Sequence, residues 1–512
     1  MTIRQKSHWW EKVNNDCITS RWYEEAMTQG MSPKLFSLVL QQLKTLALVG
    51  RDEKYVLSPV YNVYQSDCIL TSSLRECFCV HADRLEKSIA KDYHPGSNDM
   101  VVDIVHPSLY PAINGVTEVL PKPVFSLEAS WRDNLGYSDR SERVKDSFFR
   151  PSRSSFERQH LCWSLSYQWL PAEFYVSQTG QVTINSYINN LHPLLHGEMY
   201  PVLENIFAAC IPMVEQVLSD SITPPLRLLD PSNYDMYADD EIDIAEMDDD
   251  DYEEYYDMRI PLDIPLPDNF PVEEAEKFIY KRVNLKNTHL QVIVKMASIE
   301  LSPDKPVYRG GSWHVEGMKN ERIVCSVIHY YSCDNITESR LSFRQAVEEP
   351  DYEQNDTTGL AHRYNLHDED PLNEYLGYIE AVNGRTVVFP NIFQHRVQPF
   401  ELADPSRPGH RKILVFFVVD PLIRVLSTAM VPPQQRDWVL YPETLSLLPF
   451  FEVCSKYGIP DAILLYIYEF LNLPLSREEA EVYRLRLMEE RSRYVDELTD
   501  EVFERPFSLC EH

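Results

Sequence analysis

The residues of this chain best suited by type and spacing to do chemistry are His314 and Glu316, two apart in the run 310–317, together with the distant His395 in the run 389–397. Residues two apart on a β-strand point to the same side. His314 and Glu316 can therefore present a ring nitrogen and a carboxylate oxygen to one point, and His395 offers a third donor. Two histidines and one carboxylate on one face of a metal leave three coordination positions open, which lets an Fe(II) centre hold an organic cosubstrate and O2 side by side.

Spacing alone is a weak signal. With 15 histidines and 79 acids in 512 residues, about two His-x-acid triplets are expected by chance, the ordinary risk of a short motif. The chain has four. His81-x-Asp83 runs into a polar helical pattern, and His367-x-Glu369 sits in an acidic loop before Pro371; both read as solvated. His196-x-Glu198 is followed by apolar residues at helical spacing, among them Leu203, Phe207, Cys210, Val214 and Val217. A barrel core would continue as strand there.

His314 has different flanks. Residues 290–301 are rich in β-branched side chains with partial alternation, after which Pro303 and Pro306 break the strand and Gly310-Gly311 turns the chain. Residues 322–331 read as a buried strand, 384–390 as turn, strand and stop just before His395, and 411–419 as a further strand. Strand, ligand pair, strand, long connection, strand, ligand, strand is the order a double-stranded β-helix, or jelly roll, would give. The expected fold class is α+β, with that core over residues 259–425. Residues 1–230 form a mixed helical and β region packing beside the barrel or over its mouth, and 426–512 a helical C-terminal region. Ser476 and Glu479 offer a capping box to a helix running to about Arg493. Thr179-Gly180 marks a hairpin between 168–176 and 181–184. Asn185, Asn189, Asn190 and His192 fit either a substrate mouth or a network of turn hydrogen bonds.

In these segments the chain resembles the 2-oxoglutarate and Fe(II)-dependent oxygenases, whose pattern is His-x-Asp/Glu, a distal His followed by x-Val, and an Arg or Lys opening the next strand. Within that superfamily it is similar to a large, mostly fungal family of uncharacterised proteins, through residues 186–193, 313–322, 389–400, 408–412 and 431–435. The superfamily likeness covers about 285–425, and the family likeness most of the chain. Two departures stand out. The acid is Glu316 where Asp is commoner, and Arg411 follows His395 by 16 residues, a longer interval than usual that an insertion over 401–409 explains. The resemblance implies Fe(II) held by His314, Glu316 and His395, with 2-oxoglutarate and O2 as cosubstrates. It assigns the far carboxylate of 2-oxoglutarate to Arg411, whose planar fork suits a bidentate pair, with His410 and Lys412 as alternates. It also implies a phenol from the following strand, Tyr331 in preference to Tyr330. Hydroxylation, or a demethylation that follows from it, is the implied reaction.

The formal net charge of -31 argues against direct binding to nucleic acid or to an acidic membrane surface. Twelve acids and no base fall within Asp239 to Asp257, so residues 231–258 are expected to form a self-repelling, solvated insertion. A basic partner for segment 239–257 is the functional alternative. The remaining charge makes a cationic substrate or partner easier to picture than an anionic one. No run of about 18 apolar residues and no signal-peptide stretch appears, and the ten cysteines are scattered. These features lead to the expectation of a cytoplasmic protein without a membrane span, the nucleus remaining open. Two alternatives stand beside an oxygenase of a small molecule or protein side chain. One is a non-catalytic jelly-roll binding or scaffold protein; the other is a cupin-like metalloenzyme that does not use 2-oxoglutarate.

Overall fold

A computed structural model describes residues 2–6, 8–49, 54–132, 142–145, 163–223, 234–238, 259–267, 281–352, 356–441, 456–460, 463 and 474–509. The acidic segment 239–257 lies outside these residues. In chain order the strands that build the site's surroundings are β1 (Val56–Leu57), β2 (Tyr64–Ser66), β3 (Asp92–Tyr93), β4 (Val101–Val105), β5 (Ala172–Val176), β6 (Val182–Ile184) and β7 (Thr288–Leu301). They continue as β8 (Val307–Tyr308), β9 (Ile323–Asp334), β10 (Arg340–Ala346), β11 (Asn373–Glu380), β12 (Thr386–Pro390), β13 (Gln394–Val397), β14 (Phe400–Glu401) and β15 (Gly409–Val419). Four helices matter here: α1 (Pro33–Val49), α2 (Ser72–Ser88), α3 (Met199–Ile222) and α4 (Arg477–Leu498).

The protein is a mixed α/β structure around one large antiparallel sheet of ten strands, in the order β1-β2-β12-β9-β15-β7-β4-β3, with β5 also pairing β7 and β6 pairing β5. A three-stranded sheet, β11-β10-β13, opposes it, and His314 is joined to His395 at the edge of β13 by an isolated bridge. Along the chain the strands therefore alternate between sheets: β7 in the large one, the His314 segment against the small one, β9 in the large, β10 and β11 in the small, then β12, β13 and β15 large, small, large.

Alternation along β7 explains why one strand serves two cores. Val292, Val294 and Met296 face α3, whose Leu203, Phe207, Cys210 and Val214 are buried in the same cluster. Ile293 faces the other way, into a cluster with Ile328, Tyr330, Phe343, Phe389, Val415 and Phe417 that holds the two sheets together. Fully burying side chains of this size contributes about 1.5–3 kcal/mol each. Among the described residues α3 is the one helix long and apolar enough to cross a membrane by length and composition, yet its apolar face is spent on the sheet. The N-terminal region extends the sheet directly: β4 and β5 both pair with β7, and β2 pairs with β12. The hairpin at Gly180 is present as β5 and β6.

The C-terminal helix α4 begins as read, with Ser476 Oγ accepting from the Glu479 N–H and the Glu479 carboxylate from the Ser476 N–H; it runs on to Leu498, past Arg493. Its arginines reach inward. Arg484 binds Asp92 and Asp103, while Arg491 pairs with Glu321 and lies over the Trp169 ring.

Candidate metal centre

The segment carrying His314 and Glu316 is pinned by two glycines. Gly310 has φ +91°, and a Cβ there would lie 2.9 Å from the Val397 carbonyl oxygen; Gly317 has φ +68°, and a Cβ there would meet Ile323 Cδ1 at 2.9 Å. Only glycine takes both the conformation and the space without strain. Reciprocal backbone hydrogen bonds of 3.2 and 3.0 Å then tie His314 to His395. Asn391 fixes Glu316 from behind: its side chain accepts from the Glu316 N–H at 2.9 Å and donates to the Glu316 and Ile323 carbonyls at 2.9 and 3.1 Å.

As a result the donor atoms of His314, Glu316 and His395, about 80 positions apart in the chain, lie within 4.8 Å of one another. Glu316 Oε1 is 3.8 Å from His314 Nε2 and 3.4 Å from His395 Nε2. Two donors bound at about 2.1 Å to one ion sit about 3.0 to 3.4 Å apart for right-angle or tetrahedral geometry, so a small contraction closes the set. The His314 tautomer suits it too. His314 Nδ1 donates to the Ser312 carbonyl at 2.9 Å, which leaves Nε2 with a lone pair for a metal. His395 packs against Phe389 at 4.9 Å and Phe343 at 6.3 Å between ring centres, and its Nδ1 has no hydrogen-bond partner among the described residues. The His395 side chain is 4% exposed and that of His314 34%, so the centre opens to ligands on the His314 side.

Protonation is also set for binding. Burial, reinforced by the neighbouring His395, lowers His314 to about 4. Burial alone would raise Glu316, but the hydrogen bond from His395 and the charges of His314 and Lys295 outweigh it and bring the carboxyl to about 2. At neutral pH His314 offers a neutral imidazole and Glu316 a carboxylate without prior proton loss.

Arg411 lies on the inward face of β15, 3% exposed. Its Nη2 donates to the Tyr330 hydroxyl at 3.0 Å, and the guanidinium sits 4.8 Å over the Tyr330 ring. Nε and Nη1 have no partner among the described residues. A buried guanidinium with two idle donors is costly and calls for an anion. The alternates point outward: His410 meets Ser332 Oγ at 2.7 Å and Lys412 pairs with Glu86.

The expectation for Tyr331 is not met. Its hydroxyl donates to Glu86 at 3.0 Å and its ring packs on Phe78, on the α2 side of the sheet. Tyr330 holds the position beside Arg411. The cause is a β-bulge: β9 shifts register between Tyr330 and Ser332, so Tyr330 opposes Ile413 while Cys333 opposes Arg411. Counting back by twos from Cys333 selects Tyr331, and the extra residue moves the phenol by one place.

A second group, His94, Asp103 and His106, also lies within 4.8 Å, but its chemistry differs. Asp103 Oδ2 already accepts from His94 at 2.8 Å and Arg484 at 2.7 Å. The His106 Nδ1 accepts from the Ser108 N–H at 3.2 Å, and burial keeps this ring neutral far below its usual value. The single ring proton is then on Nε2, which has no lone pair to give. This group is an ion-pair network closed by α4. Of the other triplets, Glu198 pairs with Arg84 at 3.0 Å on the surface. Asn189 and Asn190 donate to the carbonyls of His106, Leu109 and Tyr110, the turn network rather than a mouth.

Sequence reasoning missed Asn391 and Lys295. For Asn391 the signal was a polar residue directly after a strand-ending proline; for Lys295 it was a lone charge within the otherwise apolar stretch 292–297.

Among solved structures, matches include IDO from Bacillus thuringiensis (13% identity over 29% of this chain and 53% of that one, TM-score 0.18) and the Fe(II)/(alpha)ketoglutarate-dependent dioxygenase TqaL (10%, 50% and 70%, 0.22). AviO1 from Streptomyces viridochromogenes Tue57 also matches (13%, 42% and 83%, 0.16). At these scores the likeness carries no argument about fold or activity, and the chain spans about half the length of the first of them. No match was found among curated proteins. A family model spans residues 33–441, and by that match the chain belongs to the family described as protein of unknown function (DUF4246).

Proposed function

We propose that this protein is an Fe(II)- and 2-oxoglutarate-dependent oxygenase acting on a small molecule or a protein side chain. The observation that carries the reading is the convergence of His314, Glu316 and His395 beside a buried arginine with two unpartnered N–H donors. The alternation of strands between the two sheets supports a double-stranded β-helix as the scaffold.

In this reading His314 and His395 would ligate through Nε2 and Glu316 through Oε1, the His395 ring proton passing to its unpartnered Nδ1, while Asn391 and the Ser312 carbonyl hold two of them in orientation. Phe343 and Phe389 keep water from the His395 side. Arg411 takes the far carboxylate of 2-oxoglutarate on its Nε and Nη1, while Tyr330 steadies the guanidinium. Bound there, Fe(II) with 2-oxoglutarate and O2 supplies the oxidising power to hydroxylate a C–H bond, with succinate and CO2 as coproducts.

Anaerobic titration with Fe(II), with and without 2-oxoglutarate, tests it. A visible charge-transfer band should form only with both present and vanish in His314→Ala and Glu316→Ala. Metal binding without that band would point to a cupin-like centre, and no metal binding to a non-catalytic module.

A further inference from the structure

Lys295 lies on the inward face of β7, two residues from Ile293 and opposite Val415, both in the cluster between the sheets. It is half-buried. Among the described residues it has no hydrogen-bond or ion-pair partner. Its ammonium acts electrostatically on Glu316 and His314 to one side and on Asp103 and His106 to the other. A cation in that position would ordinarily be a structural counter-charge, yet Lys295 bonds neither acid. Asp103 is bonded by Arg484 and His94 at 2.7 and 2.8 Å, and Glu316 is neutralised by the metal once bound.

Charge counting in the loaded centre then leaves a remainder. A divalent ion on two neutral imidazoles and one carboxylate keeps one positive charge, and Arg411 and Lys295 each add another. The 2-oxoglutarate dianion answers two of the three. An unanswered ammonium in a half-buried position is costly.

We propose that Lys295 anchors a carboxylate of the primary substrate, so that the molecule oxidised here is a small organic acid. The inference rests on the oxygenase reading and narrows it. It runs against the expectation from net charge: the chain carries -31 overall, but Arg411 and Lys295 both lie on inward strand faces.

Benzoate and benzamide, equal in shape and different in charge, are the probes. Wild-type protein is first loaded anaerobically with Fe(II) and 2-oxoglutarate; no band at that stage would overturn the oxygenase reading itself and this proposal with it. Binding of each probe to the loaded protein is then measured by ligand-observed NMR. Benzoate should bind at least tenfold tighter than benzamide. Lys295→Met should erase that preference while 2-oxoglutarate affinity stays within twofold, and Lys295→Arg should restore most of it. Equal binding of the two probes to wild type, or an undiminished preference in Lys295→Met, would overturn the proposal. A tenfold loss of 2-oxoglutarate affinity in Lys295→Met would also overturn it, by making Lys295 the cosubstrate anchor.

Discussion

Replacing Arg411 by methionine should split affinity from stability in opposite directions. The guanidinium spends one donor on Tyr330 and holds Nε and Nη1 idle in a site 3% exposed. Charge-assisted hydrogen bonds contribute about 1.5–3 kcal/mol each, so losing two of them should raise the Kd for 2-oxoglutarate by roughly 10²- to 10⁴-fold. Leaving two buried donors unpaired costs the ligand-free protein about 1–3 kcal/mol each; the methionine removes that penalty and forfeits only the Tyr330 bond and ring contact. The variant without ligand should therefore be no less stable than wild type. Arg411→Lys keeps the charge and loses the fork, and should fall between. Affinity is read from the charge-transfer band of Fe(II)-loaded protein under anaerobic 2-oxoglutarate titration, and stability from the urea midpoint followed by tryptophan fluorescence. A Kd for Arg411→Met within threefold of wild type would refute the reasoning, as would a loss of several kcal/mol in the ligand-free variant.

Asn391→Ala should weaken metal binding about tenfold or more through the lost clamp on Glu316, measured with Co(II) or Zn(II) so that oxygen plays no part; unchanged affinity would remove Asn391 from the site. Gly317→Ala should cost about 1–3 kcal/mol in urea unfolding, given its φ of +68° and the Ile323 methyl 2.9 Å from the new carbon. His192 and His329 are buried and brought to about 4, chiefly by burial. Their folded values lie below the unfolded one, so the unfolded state takes up the protons, and stability is full above about pH 6.5 and falls below it. Together they should cost about 3 kcal/mol between pH 7.5 and 5.5, and a urea midpoint flat over that range would show that they are not held neutral.

The strands that frame the site were legible because β-branched runs and their Gly and Pro stops are local signals. β7, β9, β12 and β15 all lie within a few residues of their expected positions. What was not legible depends on partners far away in the chain. The bulge beside Tyr330 exists only in pairing with β15, so no count along one strand could choose between adjacent tyrosines. The short strand β4 owes its place to the free edge of β7 rather than to any pattern of its own. A second His-Asp-His group sits at the β3–β4 hairpin, and what closes its charge, Arg484, comes from α4 far along the chain.

That helix has a temporal consequence. Glu321 is fully buried, caps the turn after Gly317 by accepting from the Met318 N–H at 2.6 Å, and accepts from the Trp169 N–H at 2.9 Å; its counter-ion, Arg491, comes from α4, as does the Arg484 that answers Asp103. Chains are made from the N-terminus at about 5–20 residues per second, so both carboxylates are synthesised well before the arginines that neutralise them. A nascent chain thus carries both acids without their arginines through the middle of its would-be interior, and the scaffold can lock only after α4 has been made. Chains stopped before residue 476 should accumulate as loosely packed, protease-sensitive species, however complete their strands.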